Sequence, residues 1–355
     1  EAIASLQPVS ILDDAMGQSS LLYIGQALLN QGDTNAALLS LDKALRMNHD
    51  KAVQESAFYN YAVAKYRGGQ IPFGSSVATF EEFLRRYPDS RYAPEVQEYV
   101  VSGWINDNNY EGALESINRM RNPGEKVLKA KQQVLYVLGS RALATGNADA
   151  ALNYLSQGTS LDRYNRDVAL QNALVLGEAR YRKGDYTGAV KEFDRYLAGA
   201  SKSDANYTVG RYDRAYAYFA QKAYGKAADD FRYVSEQKGL PAEVRADALN
   251  RLGDTYYYGK DFDRASDVYA GAYEALPEAG DYPKFQQAAM KGLTHDFSAK
   301  KQLLQDFLRD YPQSGLASEA MLELAETEHS LGNKDATATA YRRVIEKYPA
   351  TAQAR

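Results

Sequence analysis

The chain has no cysteine among its 355 residues. Disulfides, thiol nucleophiles and thiolate metal sites are thereby excluded, and a thiol-free composition suits an oxidising compartment such as a bacterial periplasm. Histidine occurs only as His49, His295 and His329, far apart and without metal-ligand spacing, so solvated surface positions are expected. No apolar run approaches the roughly 18 residues that a membrane span requires. Lys and Arg number 42 against 46 Asp and Glu, a net charge of -4, with no basic run suited to nucleic acid or anionic lipid. Gly68-Gly69 lacks the Lys-Ser/Thr of a phosphate loop, and no Gly-x-Ser-x-Gly elbow occurs. Acidic neighbours such as Asp13-Asp14 and Asp229-Asp230 would point about 100° apart on a helix, which prevents them from sharing one substrate. No catalytic constellation is legible, so the expectation is a protein that is not an enzyme and needs no cofactor or metal.

Tyrosine and an internal repeat are abundant instead. There are 29 Tyr against 11 Phe and 1 Trp, so most aromatic surface carries a hydroxyl. The stretches at 138–155, 176–193, 214–231 and 252–269 align with a step of 38 residues. Small residues recur at Ala113, Ala151, Ala189, Ala227 and Ala265, and large ones four positions on at Ile117, Leu155, Phe193, Phe231 and Tyr269. A second small column runs through Gly139, Gly177, Ala215 and Gly253. Apolar spacing of three and four within each copy predicts two amphipathic helices, joined by a turn such as Lys183-Gly184-Asp185. The small columns belong where helices cross closely, and the large residues fill the grooves beside them. One such pair cannot bury enough apolar area alone, so the copies must stack.

These residues carry a family resemblance. Leu176, Gly177, Gly184, Asp185, Tyr186, Ala189 and Phe193, and again Leu252, Gly253, Tyr256, Phe262, Ala265 and Tyr269, resemble the tetratricopeptide repeat. The resemblance implies an all-α, right-handed α-solenoid of about nine helix-turn-helix repeats, here with a period near 38 rather than the usual ~34. The extra residues are expected in longer first helices and in linkers such as 199–206. Repeats at 51–93 and 277–312 are less regular, and the segment 68–76 reads as a stretched turn. The whole of 1–355 reads as one array, expected to be cut from a longer protein since residues after Tyr348-Pro349 stand where another first helix would begin; the alternative is a natural end with a frayed last helix. The junctions at Tyr87-Pro88 and Tyr311-Pro312 are similar to those of bacterial cell-envelope members, the outer-membrane assembly lipoproteins and TolA-binding proteins. There Pro stops the second helix, and the following Ser or Asp is expected to cap the next one.

In such arrays the first helices line a concave groove. Projecting the columns places Tyr181, Tyr212, Tyr216, Phe219, Asn250, Asp254 and Tyr257 there, with Tyr59 and Tyr136 nearer the N-terminus; each tyrosine could equally pack between helices. Rigid aromatic hydroxyls suit a protein or peptide partner. The family's clamp for a C-terminal carboxylate is not expected, because its positions hold Leu174, Glu178, Tyr212 and Tyr216, and only Asn250 and Arg251 are of suitable type. The expectation is a non-enzymatic scaffold in the periplasm or at the outer membrane, binding neither nucleic acid nor, through this segment, the membrane interior. Alternatives are a carbohydrate- or peptide-binding module of nutrient uptake, an accessory region of an enzyme, or a cytoplasmic location.

Overall fold

The computed structural model of the chain describes residues 1–68 and 73–354, so residues 69–72 of the stretched turn at 68–76 lie outside the described residues. Among the described residues are nineteen α-helices and no strand. The chain divides into two compact units, Glu1–Asn172 and Ala173–Arg355. The first opens with a single turn, α1 (Ala2–Leu6), followed by α2 (Ala15–Asn30) with α3 (Thr34–Arg46) and α4 (Lys51–Arg67) with α5 (Phe73–Arg86). Next come α6 (Ala93–Asn106) with α7 (Tyr110–Arg119) and α8 (Glu125–Ala144) with α9 (Ala148–Thr159). The boundary falls in α10 (Arg166–Arg182), which pairs with α11 (Tyr186–Gly199). The second unit continues with α12 (Tyr207–Ala220) and α13 (Tyr224–Ser235), then α14 (Ala242–Tyr258) and α15 (Phe262–Ala275). It ends with α16 (Asp281–Leu293) and α17 (Phe297–Asp310), then α18 (Ala317–Ser330) and α19 (Lys334–Lys347). These are nine helix-turn-helix pairs of an α-solenoid; from α1 to α9, and again from α11 to α19, each helix packs on the next in sequence.

Two devices shape the pairs whose turns are described. The first is the turn. Gly32, Gly146, Gly184 and Gly332 adopt φ near +80°, and Asn108, Lys222, Lys260 and His295 take the same left-handed place at φ 55–60°. The next residue caps the second helix: Asp33, Asn109, Asn147, Asp185, Asp261 and Asp296 each accept the N–H three residues on. The second device is the close crossing. A Cβ added at Gly139, Gly177 or Gly253 would meet Leu155 at 2.4 Å, Phe193 at 2.6 Å or Tyr269 at 2.6 Å. The small column of the first helix therefore faces the large column of the second, and Ala151, Ala189, Ala227 and Ala265 are fully buried beside it.

Buried amides brace the first helices. Gln18 Nε2 donates to the carbonyls of Ala44 and Met47 at the end of α3, while its Oε1 accepts the Asp50 N–H at 2.7 Å. Gln97, Gln132 and Asn172 likewise donate to the carbonyls of Arg121, Asn165 and Leu155 at 2.9–3.0 Å. Carbonyls at second-helix ends and in the following loops, which would otherwise be buried without donors, are satisfied this way.

The Tyr-Pro pairs do stop helices: Tyr311 and Tyr348 leave helical geometry at ψ 54° and 50°, one residue after α17 and α19 end. Contrary to the expectation from the sequence, the serines that follow do not cap the next helix by a side-chain bond. Ser90 donates to Glu55 on α4 and Ser314 to Asp281 on α16, and each accepts the N–H two residues on. They tie the junction back to the first helix of their own pair.

Gly253→Ala should lower stability by about 1–3 kcal/mol in urea unfolding, because the added methyl overpacks against Tyr269. Lys222→Gly should raise it by about 1 kcal/mol, since the exposed lysine holds a left-handed conformation that glycine adopts freely.

Candidate partner-binding surface

In the second unit the first helices α12, α14 and α16 are joined by a chain of tyrosine hydroxyls and carboxylates. Tyr212 and Tyr216, one turn apart on α12, both donate to Asp247 Oδ2 on α14. Their rings meet edge-on at 5.2 Å, and both pack edge-on against Phe231. Burial, then the bond to Asp247, pushes both phenols well above the ordinary range. One turn along α14, Arg251 lies 3.7 Å from Asp247 and 2.5 Å from Asp254. Asp254 Oδ1 accepts from Tyr269 on α15 and Tyr282 on α16, each at 2.7 Å. Tyr212 and Tyr216 are thus half-buried fasteners between repeats, which is the second of the two roles their positions allowed. Asp254 is a correction: it does not face a groove but is 5% exposed beneath Tyr282 and Arg251. A buried carboxylate survives there because an arginine and two hydroxyls satisfy it. Asn250 is half-buried, and its Oδ1 is buried without a hydrogen-bond partner.

The remaining three expected residues gather elsewhere. Tyr181, Phe219 and Tyr257 each stand three residues before the left-handed turn residue, and each meets the aromatic two residues after it. The pairs are Tyr181–Tyr186 at 5.4 Å, Phe219–Tyr224 at 5.5 Å and Tyr257–Phe262 at 6.2 Å. Tyr258 joins two pairs: it stacks on Tyr224 at 4.6 Å and 8° and meets Phe219 at 6.0 Å. The result is an aromatic row along the turn edge of α12–α15, with Tyr257 41% and Tyr258 52% exposed at its outer side. Nearer the N-terminus, Tyr59 stacks on Tyr92 at 4.1 Å and donates to Glu95 at 2.7 Å, and Tyr136 is half-buried.

Asp213, on α12 beside Tyr216, was not anticipated. Burial first, then the negative charge of Glu178 on α10, raises its carboxyl to about 7, against a partial offset from Arg182. Arg182 also pairs with Glu178. Below about pH 4 both folded and unfolded states bind this proton. Between there and about 7 only the folded state retains it, so stability falls as pH rises through that window and stays reduced above it. Asp213→Asn should therefore be more stable than the parent at pH 8 by roughly 1–3 kcal/mol, and the two should converge toward pH 4 in thermal unfolding.

Two tetratricopeptide-repeat family models match the chain, one over residues 136–205 and the other over 56–90 and 319–351. No curated protein matches it. Among solved structures, the C-terminal part of a TPR repeat-containing protein from Cytophaga hutchinsonii is similar at 14% identity and TM-score 0.50, covering 73% of this chain and 97% of that one. MamA from residue 41 onward of Desulfovibrio magneticus RS-1 shares 19% identity at TM-score 0.43, covering 52% of this chain and 97% of its own. PilF of Pseudomonas aeruginosa shares 15% at TM-score 0.43, covering 64% and 96%. The family models and the nine helix pairs, built on small columns facing large ones, agree: the chain carries tetratricopeptide repeats, matched over residues 56–90, 136–205 and 319–351.

Proposed function

We propose that this chain is a non-enzymatic scaffold of the bacterial cell envelope that holds a protein or peptide partner on the aromatic turn edge of its second unit. The observation that carries the reading is the contiguous row from Phe219 and Tyr224 through Tyr258 to Tyr257 and Phe262, whose two outer rings stand in solvent. Tyrosine rings fixed by neighbouring rings lose little freedom on binding and offer both apolar area and a hydroxyl. Tyr212 and Tyr216, by contrast, already spend their hydroxyls on Asp247 and serve the fold. The envelope location is supported by the Tyr-Pro junctions and the thiol-free composition.

A double variant, Tyr257→Ala with Tyr258→Ala, should change stability by about 1 kcal/mol or less yet abolish capture of the partner from an envelope fraction. Tyr212→Phe with Tyr216→Phe should do the reverse, keeping capture while losing about 1–3 kcal/mol as Asp247 forfeits its donors. Capture by the first variant at the parental level would refute the assignment. A periplasmic-release assay on the full-length gene product checks the location.

A further inference from the structure

The turns that carry the aromatic row have a second pattern. At the other described turns the left-handed position holds glycine or asparagine: Gly32, Asn108, Gly146, Gly184 and Gly332. The three turns after α12, α14 and α16 place Lys222, Lys260 and His295 there instead. A long side chain at positive φ destabilises a turn relative to glycine, and strain of this kind concentrates where the side chain has a use. Lys222 and Lys260 are exposed, and among the described residues neither has an ion pair or a side-chain hydrogen bond. The fold therefore does not employ their charge.

Residues 218–226 and 256–264, which hold the row from Phe219 to Phe262, contain four basic side chains and two acidic ones. Asp261 is engaged by the α15 cap and by Arg264 at 2.5 Å, and Lys226 lies over the Tyr218 ring at 5.4 Å. Asp263 is exposed on the first turn of α15, which still leaves the edge with net positive charge. The corresponding turns of the first unit, at 31–34, 107–110 and 145–148, hold no basic residue. Two lysines one repeat apart are too few for a lipid surface, which takes clusters of about four to eight. They are also too few for a nucleic-acid backbone, whose binding rests on many phosphate contacts. We infer, on the reading that this edge holds a polypeptide, that the segment it holds is acidic. Its carboxylates pair with Lys222 and Lys260, while an apolar or proline side chain lies on the exposed rings of Tyr257 and Tyr258. The rings supply contact area and the lysines select the partner.

The test presents the full chain with bead-bound pools of short peptides that alternate Pro, Leu and Ala with Asp and Glu, with Asn and Gln, or with Lys and Arg. The acidic pool should retain the protein, and the amide pool should bind it roughly 3–10-fold more weakly, a difference that added salt removes. The chain as a whole carries a net charge of -4, so an acidic preference cannot come from its overall charge. Lys222→Gly with Lys260→Gly should lose the preference while its thermal midpoint rises, which separates lost binding from lost folding. Lys222→Gln with Lys260→Gln, which keeps a side chain at both turns, should lose the preference equally. Tyr257→Ala with Tyr258→Ala should abolish binding to the acidic and amide pools alike. Equal binding of those two pools, or an acidic preference that survives both lysine variants, would overturn the inference and leave the polypeptide reading standing. Undiminished binding after loss of the two rings would overturn that reading and the inference with it. Retention by none of the pools, or a preference for oligothymidylate or phosphatidylglycerol vesicles over the acidic pool, would also overturn the inference.

Discussion

The close approach of the two helices within each repeat is the constraint on which the rest depends. A first helix can settle against its partner only where Gly or Ala removes the side chain facing Leu155, Phe193, Phe231 or Tyr269, as the short distances from a hypothetical Cβ make plain. Once that crossing is fixed, the left-handed turn residue and the Asp or Asn cap after it have only one place to lie. The turn in its place then brings the residue three before it and the residue two after it together, which is how the aromatic pairs of the second unit arise. The exposed rings are thus a consequence of core packing rather than an addition to it.

A second layer of interactions fastens one repeat to the next, and here the abundance of tyrosine finds its physical reason. Phenylalanine would fill the same space, but only a hydroxyl can reach a carboxylate on the neighbouring first helix. Asp247 takes two such hydroxyls from α12, Asp254 takes one from α16 beside that of Tyr269 in its own pair, and the two carboxylates share Arg251. In the first unit buried amides do comparable work at helix ends, from Gln18 to Asn172. Both solutions bury polar groups that would be costly if left unpaired, so each removes alternatives to the native stacking.

The fold was legible because sterics act on residue size, and size is written directly in the sequence. Ala189 followed four residues later by Phe193, repeated at each step of 38, could hardly mean anything but stacked helix pairs. The position of each site residue was harder to read. Helical periodicity tells in which direction Tyr212 points, but not that Asp247, 35 residues on, waits there for its hydroxyl. The burial of Asp254 likewise depends on Tyr282, contributed by the following repeat. Tyr257 shares its register with Phe219, whereas the stacking of Tyr258 on Tyr224 is set by the neighbouring pair and leaves no trace within one repeat. The amides left a fainter trace: Gln18 and Gln132 stand seven residues, about two helical turns, before Gly25 and Gly139.

What distinguishes the aromatic edge from the other tyrosines is that its outer hydroxyls and rings remain free while those of α12 and α16 are engaged. The central claim is that this freedom serves a polypeptide partner. Site-specific photo-crosslinking tests it most directly, with a benzophenone amino acid placed at Tyr257 and, as a control on an exposed second-helix position of the first unit, at Leu39. The account predicts one discrete crosslinked polypeptide from position 257 in living cells and none from position 39. Crosslinks of equal yield from both positions, or none from 257, would contradict it.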